Sequence, residues 1–174
     1  MTTAEKLAAR MRIIPDFPKP GISFKDITPI LADGPLFNEM IELFAEKYRT
    51  AGITKVVGME ARGFLFAAPL AVKLGAGMVP VRKKGKLPYE TVAETYALEY
   101  GTDTLEMHKD AVTPADKVLI IDDVLATGGT AAAAVRLVEK LGAKIEGVAF
   151  LMELEFLHGR DKLTGQQVFS ALKS

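Results

Sequence analysis

The chain has no cysteine and only two histidines. Without thiols it can form no disulfide and use no thiolate as nucleophile or metal ligand, and a reducing, cytoplasmic setting is expected. His108 and His158 have no partner at a spacing that would make either a metal ligand or a nucleophile's base. A long apolar run is also missing. The longest, residues 64–72, has nine residues and contains Pro69, whereas a membrane-spanning helix needs about 20. Residues 1–12 lack the apolar core of a secretory signal, so neither membrane nor export is expected. Net charge is zero, with 22 basic residues against 22 acidic ones, which argues against a general nucleic-acid surface but leaves room for a local basic patch. There is no internal repeat and no low-complexity tract. What the 174 residues do offer is 49% hydrophobic and 25% charged content, enough for one domain (1–174) with a real core.

The most informative stretch is 118–130. Val118, Leu119, Ile120 and Ile121 form the continuous apolar run of a strand buried on both faces of a parallel sheet. Asp122 and Asp123 end the run, Thr127-Gly128-Gly129-Thr130 makes a turn, and residues 131–140 favour helix. Glycines let backbone N–H groups approach a ligand closely. The first N–H groups of a helix are unpaired and sit at the positive end of its dipole, which suits a phosphate. Neighbouring carboxylates suit sugar hydroxyls or a hydrated Mg²⁺. The combination reads as a site for a ribose bearing a 5′-phosphate. Neither familiar nucleotide loop is present: Gly-x-Gly-x-x-Gly is missing, and no Lys follows the last glycine as a Walker loop requires.

Elsewhere the pattern alternates helix and strand. Residues 4–11 read as a helix with Leu7, Ala8 and Met11 on one face. Residues 13–30 hold four of the nine prolines and read as an irregular segment or short edge strand, with Ile14, Phe17, Ile22, Phe24 and Ile27 to bury. Asp33 caps a helix to about Tyr48 with Phe37, Met40, Ile41 and Phe44 as its stripe. Residues 55–59 and 77–81 are strands around a helix ending near Leu74. The α-β-α-β order predicts an α/β fold with a mostly parallel sheet flanked by helices. Residues 91–105 alternate, with Val92, Tyr96, Leu98 and Tyr100 set against Thr91, Glu94 and Glu99, as in an antiparallel hairpin or a flexible arm (83–110). Strands are expected at 144–155 and 168–171, and one helical turn at 158–163.

Two more anion-suited clusters appear. Glu60-Ala61-Arg62-Gly63 lies at a strand-to-helix junction, where Arg62 can meet a second anion. Arg82-Lys83-Lys84-Gly85-Lys86 is a dense positive run after a strand, suited to a pyrophosphate. Ligands of open α/β sheets bind at the carboxyl ends of the strands, where all three clusters fall.

The 118–130 pattern resembles the phosphoribosyl pyrophosphate (PRPP) signature of type I phosphoribosyltransferases. With Ile14-Pro-Asp-Phe-Pro-Lys-Pro-Gly-Ile-Ser-Phe-Lys-Asp-Ile-Thr-Pro, Ala61-Arg-Gly-Phe, Arg82-Lys-Lys-Gly-Lys-Leu-Pro and Leu98-Glu-Tyr-Gly, the chain resembles the adenine-using branch of that family over residues 13–170. The resemblance implies transfer of the 5-phosphoribosyl group of PRPP to adenine, giving AMP and pyrophosphate in purine salvage. It places Asp122 and Asp123 on the ribose and Ala126, Thr127, Gly128, Gly129 and Thr130 around the 5′-phosphate. Ala61, Arg62, Arg82, Lys83 and Lys86 complete the PRPP site. Residues 13–32 become a hood over the base, with Ser23, Phe24, Lys25, Val124, Leu125 and Leu154 at adenine. The Glu60–Ala61 turn matches a family site with a cis peptide lacking proline. Glu99 is implied as the acid–base residue supporting adenine N7, and Tyr100 as the residue closing the arm. Mg²⁺ is implied as cofactor, held through PRPP and water with no direct protein ligand. A homodimer is implied, with the basic run near the partner's active site. A transferase for another base, or a non-catalytic PRPP-binding regulator, are the alternatives. The regulator needs a DNA-reading domain, for which the proline-rich residues before Asp33 are too few.

Overall fold

Runs of apolar residues build the central strands. Thr2 caps the first helix, while Gly75 ends the Phe64–Leu74 helix in a left-handed conformation. The computed structural model describes residues 1–98 and 100–174, in two compact units, Met1–Glu46 and Lys47–Ser174.

In the first unit, helix α1 (Thr3–Arg10) opens with a capping box, in which Thr2 and Glu5 each accept a bond from the other's backbone N–H. Only Leu7 of its predicted apolar face is buried; Ala8 is exposed. Strands β1 (Arg12–Ile14) and β2 (Phe24–Asp26) pair antiparallel, and α2 (Thr28–Leu31) follows. The proline-rich segment thus carries two short strands, in keeping with the short-strand reading, joined by a loop with a cis Phe17–Pro18 bond. Ile27 and Ile30 are buried, but Phe17 and Ile22, expected inside, are exposed, and Phe17 instead packs edge-on against Phe24 at 5.2 Å. Helix α3 (Gly34–Tyr48) starts where Asp33 Oδ1 accepts the Leu36 N–H at 3.2 Å. Met40, Ile41 and Phe44 are buried as its stripe predicts.

The second unit is a seven-stranded sheet in the order β5-β6-β4-β3-β7-β8-β9. Its strands are β3 (Lys55–Met59), β4 (Gly77–Lys83), β5 (Thr91–Ala97), β6 (Thr102–His108), β7 (Lys117–Leu125), β8 (Lys144–Glu153) and β9 (Val168–Lys173). From β4 to β9 all neighbours are parallel; the β5–β6 hairpin extends the sheet antiparallel on β4. Helix α4 (Phe64–Leu74) follows β3 and α5 (Gly129–Lys140) follows β7. One core layer joins Val57, Met59, Val118, Ile120 and Phe150 to the buried side of α5. The alternate residues Val56, Leu119 and Ile121 are also fully buried, as a sheet covered on both faces requires.

Two strands run further than the sequence indicates. Strand β7 does not stop at Asp123, where the run 118–123 is expected to end, because β8 supplies ladder partners as far as Leu125: Asp122 lies opposite Phe150, Val124 opposite Met152 and Leu125 opposite Glu153. Likewise β4 takes in Arg82 and Lys83, which pair with Glu106 and Leu105 of β6. Glu94 is not on the face opposite Val92 and Tyr96; two residues from each, it shares theirs, and there Arg136 Nε and Lys140 Nζ of α5 hold it at 3.0 and 2.9 Å.

Candidate active site

Strand order reverses between β3 and β7, which run parallel: β4 lies to one side of β3 while β7, β8 and β9 lie to the other. Crevices at the carboxyl ends of strands at such a point are where open α/β sheets hold ligands. The β3–α4 turn (residues 60–63) and the β7–α5 turn (126–129) meet there.

The first turn is locked against the acidic pair that β7 carries just before the second. A Cβ on Gly63 would stand 2.8 Å from the Met59 nitrogen and 3.0 Å from Asp122 Oδ1, so only glycine lets the first turn lie beside the acidic pair. Arg62 reaches across, its Nε 2.7 Å from Asp123 Oδ2. Asp123 is 5% exposed, so this charge-assisted bond compensates its desolvation. The Asp123 N–H donates to Asp122 Oδ1 at 2.9 Å. Enclosure, and then the neighbouring Asp123 charge, push the Asp122 carboxyl well above the ordinary carboxylate range. The peptide between Glu60 and Ala61 is cis, as the motif resemblance implies.

Glu60 organises the basic run, a role the sequence does not announce because nothing local marks which carboxylate those cations meet. Its Oε2 lies 3.2 Å from both Arg82 Nη2 and Lys86 Nζ, and its Oε1 accepts the Lys83 N–H at 2.6 Å. Burial pushes this carboxyl up, but these bonds outweigh burial and hold it below its ordinary value. Lys83 Nζ pairs with Asp103 Oδ2 at 3.1 Å, and the Gly85 N–H donates to Glu106 at 2.6 Å. Glu60 thus gathers the Arg82 and Lys86 side chains, while Asp103 holds the Lys83 ammonium.

At the second turn Gly128 has φ +88° and opens α5, with Gly129 and Thr130 in the helix's first turn. Tyr96 of β5 lies against it: a Cβ on Gly129 would come within 3.2 Å of the ring, and the Thr130 hydroxyl donates to the Tyr96 hydroxyl at 3.4 Å. Tyr96 was expected only as a strand residue. Ala126 is partly exposed and Thr127 is exposed. Val124 and Leu154 are also partly exposed, whereas the Leu125 side chain is buried, and its carbonyl accepts the Leu154 N–H at 2.9 Å. Ser23, Phe24 and Lys25 belong to the other unit, where Ser23 is exposed and the other two partly buried. Tyr100 is 88% exposed. Glu99 lies outside the described residues. Among the described residues no three His, Asp or Glu side chains cluster as metal ligands, and no helix is long and apolar enough to cross a membrane.

Comparison with known proteins bears on this arrangement directly. The phosphoribosyl transferase domain model matches residues 26–166. The chain is 56% identical to the adenine phosphoribosyltransferase of Roseiflexus sp., over 99% of each chain. It is 57% identical to that of Syntrophotalea carbinolica, over 97% of this chain and 99% of the relative. Among solved structures it superposes with a TM-score of 0.95 on the adenine phosphoribosyltransferase of Thermoanaerobacter pseudethanolicus, at 53% identity, covering 98% of this chain and 99% of the other. It superposes with a TM-score of 0.93 on the Saccharomyces cerevisiae enzyme in complex with an imino-altritol bisphosphate and adenine, at 44% identity, covering 97% and 98%. The chain belongs to the phosphoribosyl transferase family, among the adenine phosphoribosyltransferases.

Proposed function

We infer that the chain transfers the 5-phosphoribosyl group of PRPP to adenine, giving AMP and pyrophosphate. The observation that carries this reading is the locking of the β3–α4 turn onto the acidic pair of β7 at one sheet edge. The strand presents the acidic pair and leads into a helix N-terminus, and the turn presents Arg62 beside Glu60, which gathers Arg82 and Lys86, in a chain alike throughout its length to adenine phosphoribosyltransferases.

The parts take roles by their chemistry. Backbone N–H groups of Ala126, Thr127, Gly128, Gly129 and Thr130 receive the 5′-phosphate at the start of α5. Asp122 and Asp123 hold the ribose hydroxyls. Ala61, Arg62, Arg82, Lys83 and Lys86 receive the pyrophosphate, the cations exchanging internal carboxylates for ligand oxygens. In the larger unit Val124, Leu125 and Leu154 take the base, Leu125 through its backbone because its side chain is buried; Ser23, Phe24 and Lys25 are assigned to the base by the family resemblance alone. A relative from Trypanosoma brucei has been solved with AMP, pyrophosphate and ribose-5-phosphate, ligands that fit these three subsites.

Adenine N9 attacks C1 of the sugar as the C1–pyrophosphate bond breaks, through an oxocarbenium-like centre. The leaving oxygens meet Arg62 and the gathered cations where charge develops. Glu99 supports proton transfer at N7, and Tyr100 closes over the sugar to exclude water, which would otherwise hydrolyse PRPP. The all-oxygen donors Asp122 and Asp123 fit an Mg²⁺ held mainly through PRPP and water, since Asp123 is already paired with Arg62. When bound, that ion supplies positive charge to the leaving pyrophosphate. A cytoplasmic homodimer completes the reading. Leu65 and Val72, seven residues apart on one face of α4, are exposed apolar side chains that a second copy would cover.

The test is AMP formation from PRPP and adenine with Mg²⁺, beside hypoxanthine, guanine and orotate. Activity with adenine alone is expected; activity with another base instead overturns the base assignment.

A further inference from the structure

Residues 155–163 carry none of the groups assigned above, yet they form the floor of the 126–130 loop. The contact is backbone against backbone. A Cβ on Gly159 would stand 2.5 Å from the Ala126 carbonyl oxygen and 2.8 Å from Leu125 Cδ1, and one on Gly128 would overlap the Gly159 carbonyl. Both positions therefore require glycine. Gly159 opens a short 3₁₀ turn, Gly159–Leu163, after His158 in a left-handed conformation.

The next residue fixes where Gly159 lies. Arg160 donates from Nε and Nη2 to the two oxygens of Glu153 at 2.7 and 2.9 Å, and from Nη1 to the Val168 carbonyl at 3.2 Å. Glu153 is 4% exposed and also accepts the Ser170 hydroxyl at 2.8 Å. It lies opposite Leu125 of β7 and Lys173 of β9 in the sheet. Leu125, immediately before the loop, and Gly159, beneath it, are thus referred to the same residue.

We propose that Arg160 is a positioning residue for the phosphate loop: its two-pronged bond to Glu153 seats Gly159 against Ala126 and Gly128 and so sets the backbone of residues 126–130 to receive a sugar 5-phosphate. This rests on the assignment of that loop to the 5′-phosphate. An arginine is required because its planar fork meets both carboxylate oxygens and still reaches the Val168 carbonyl, where an ammonium makes one such contact at a time. A backbone cradle gains affinity from being fixed beforehand, since binding then has less chain to order.

Ribose 5-phosphate and, separately, inorganic pyrophosphate are titrated into wild type, Arg160→Lys and Gly159→Ala, each checked by thermal melting to be folded at the assay temperature. Arg160→Lys keeps a cation beside buried Glu153. Losing one charge-assisted bond predicts a Kd for ribose 5-phosphate about 10-fold higher, and Gly159→Ala, which intrudes on the loop directly, at least as large a rise. Pyrophosphate binding stays within about twofold of wild type in both, because Arg82, Lys83 and Lys86 are held by Glu60 and Asp103 and Arg62 by Asp123, not by Glu153. Should Arg160→Lys fail to fold, Gly159→Ala gives the same reading. Ribose 5-phosphate binding unchanged in the folded variants, or equal losses for both ligands, overturns the positioning role. Wild type that binds pyrophosphate but not ribose 5-phosphate overturns the loop assignment itself.

Discussion

At the residue scale the decisive feature is that two adjacent aspartates have different surroundings. Asp123 is buried and paired with Arg62, whereas Asp122 lies beside Gly63 with its pKa raised. A carboxyl whose folded pKa lies above its unfolded value stabilises the fold fully below the unfolded pKa, near 3.8. That contribution is lost as pH rises through the folded pKa. Asp122→Asn removes the charge, and its Oδ1 can still accept the Asp123 N–H. Its melting temperature should therefore exceed wild type at neutral pH, with the gap closing as pH falls towards 4; a gap independent of pH would contradict this. Asp123→Asn should raise the Kd for PRPP about 10-fold or more by removing a charged acceptor for ribose. Equilibrium titration checks this, and unchanged affinity would take Asp123 out of the ribose site.

At the element scale the site is made where two turns join strand ends and a helix start. Each turn has a glycine where another chain segment leaves no room: Gly63 against Met59 and Asp122, Gly128 against Gly159. Gly63→Ala should cost about 1–3 kcal/mol, the usual range for overpacking, and denaturant unfolding measures it. A loss near zero would mean that the β3–α4 turn relaxes freely. The same scale explains Glu94: held by Arg136 and Lys140, it fastens the β5–β6 hairpin to α5, and Tyr96 thereby rests on Gly129.

At the scale of the whole molecule the open question is assembly. Val72 is 82% exposed, so replacing it by Glu costs the isolated fold little. If α4 meets a second copy, wild type should sediment at twice the 18.8 kDa chain mass and Val72→Glu should shift towards the single-chain mass. Wild type sedimenting as a single chain would remove the dimer. A dimer undisturbed by Val72→Glu would place the interface elsewhere.

The local chemistry was determined by the sequence alone. An apolar run, an acidic pair and Thr-Gly-Gly-Thr specify strand, polar edge and helix start, because each depends on neighbours within a few residues. For the same reason Asp33 reads as a cap and residues 55–59 as a strand. Only the tertiary structure decided where β7 ends, since its last ladder bonds come from β8, and which carboxylates meet the basic run, since Glu60 reaches it from the β3–α4 turn and Asp103 and Glu106 reach it from β6. It alone placed Gly159 and Arg160 beneath the phosphate loop, through bonds to Glu153 and the neighbouring strand β9. No pattern in sequence encodes such a contact, because what fixes it is the distance between backbones brought together by the sheet.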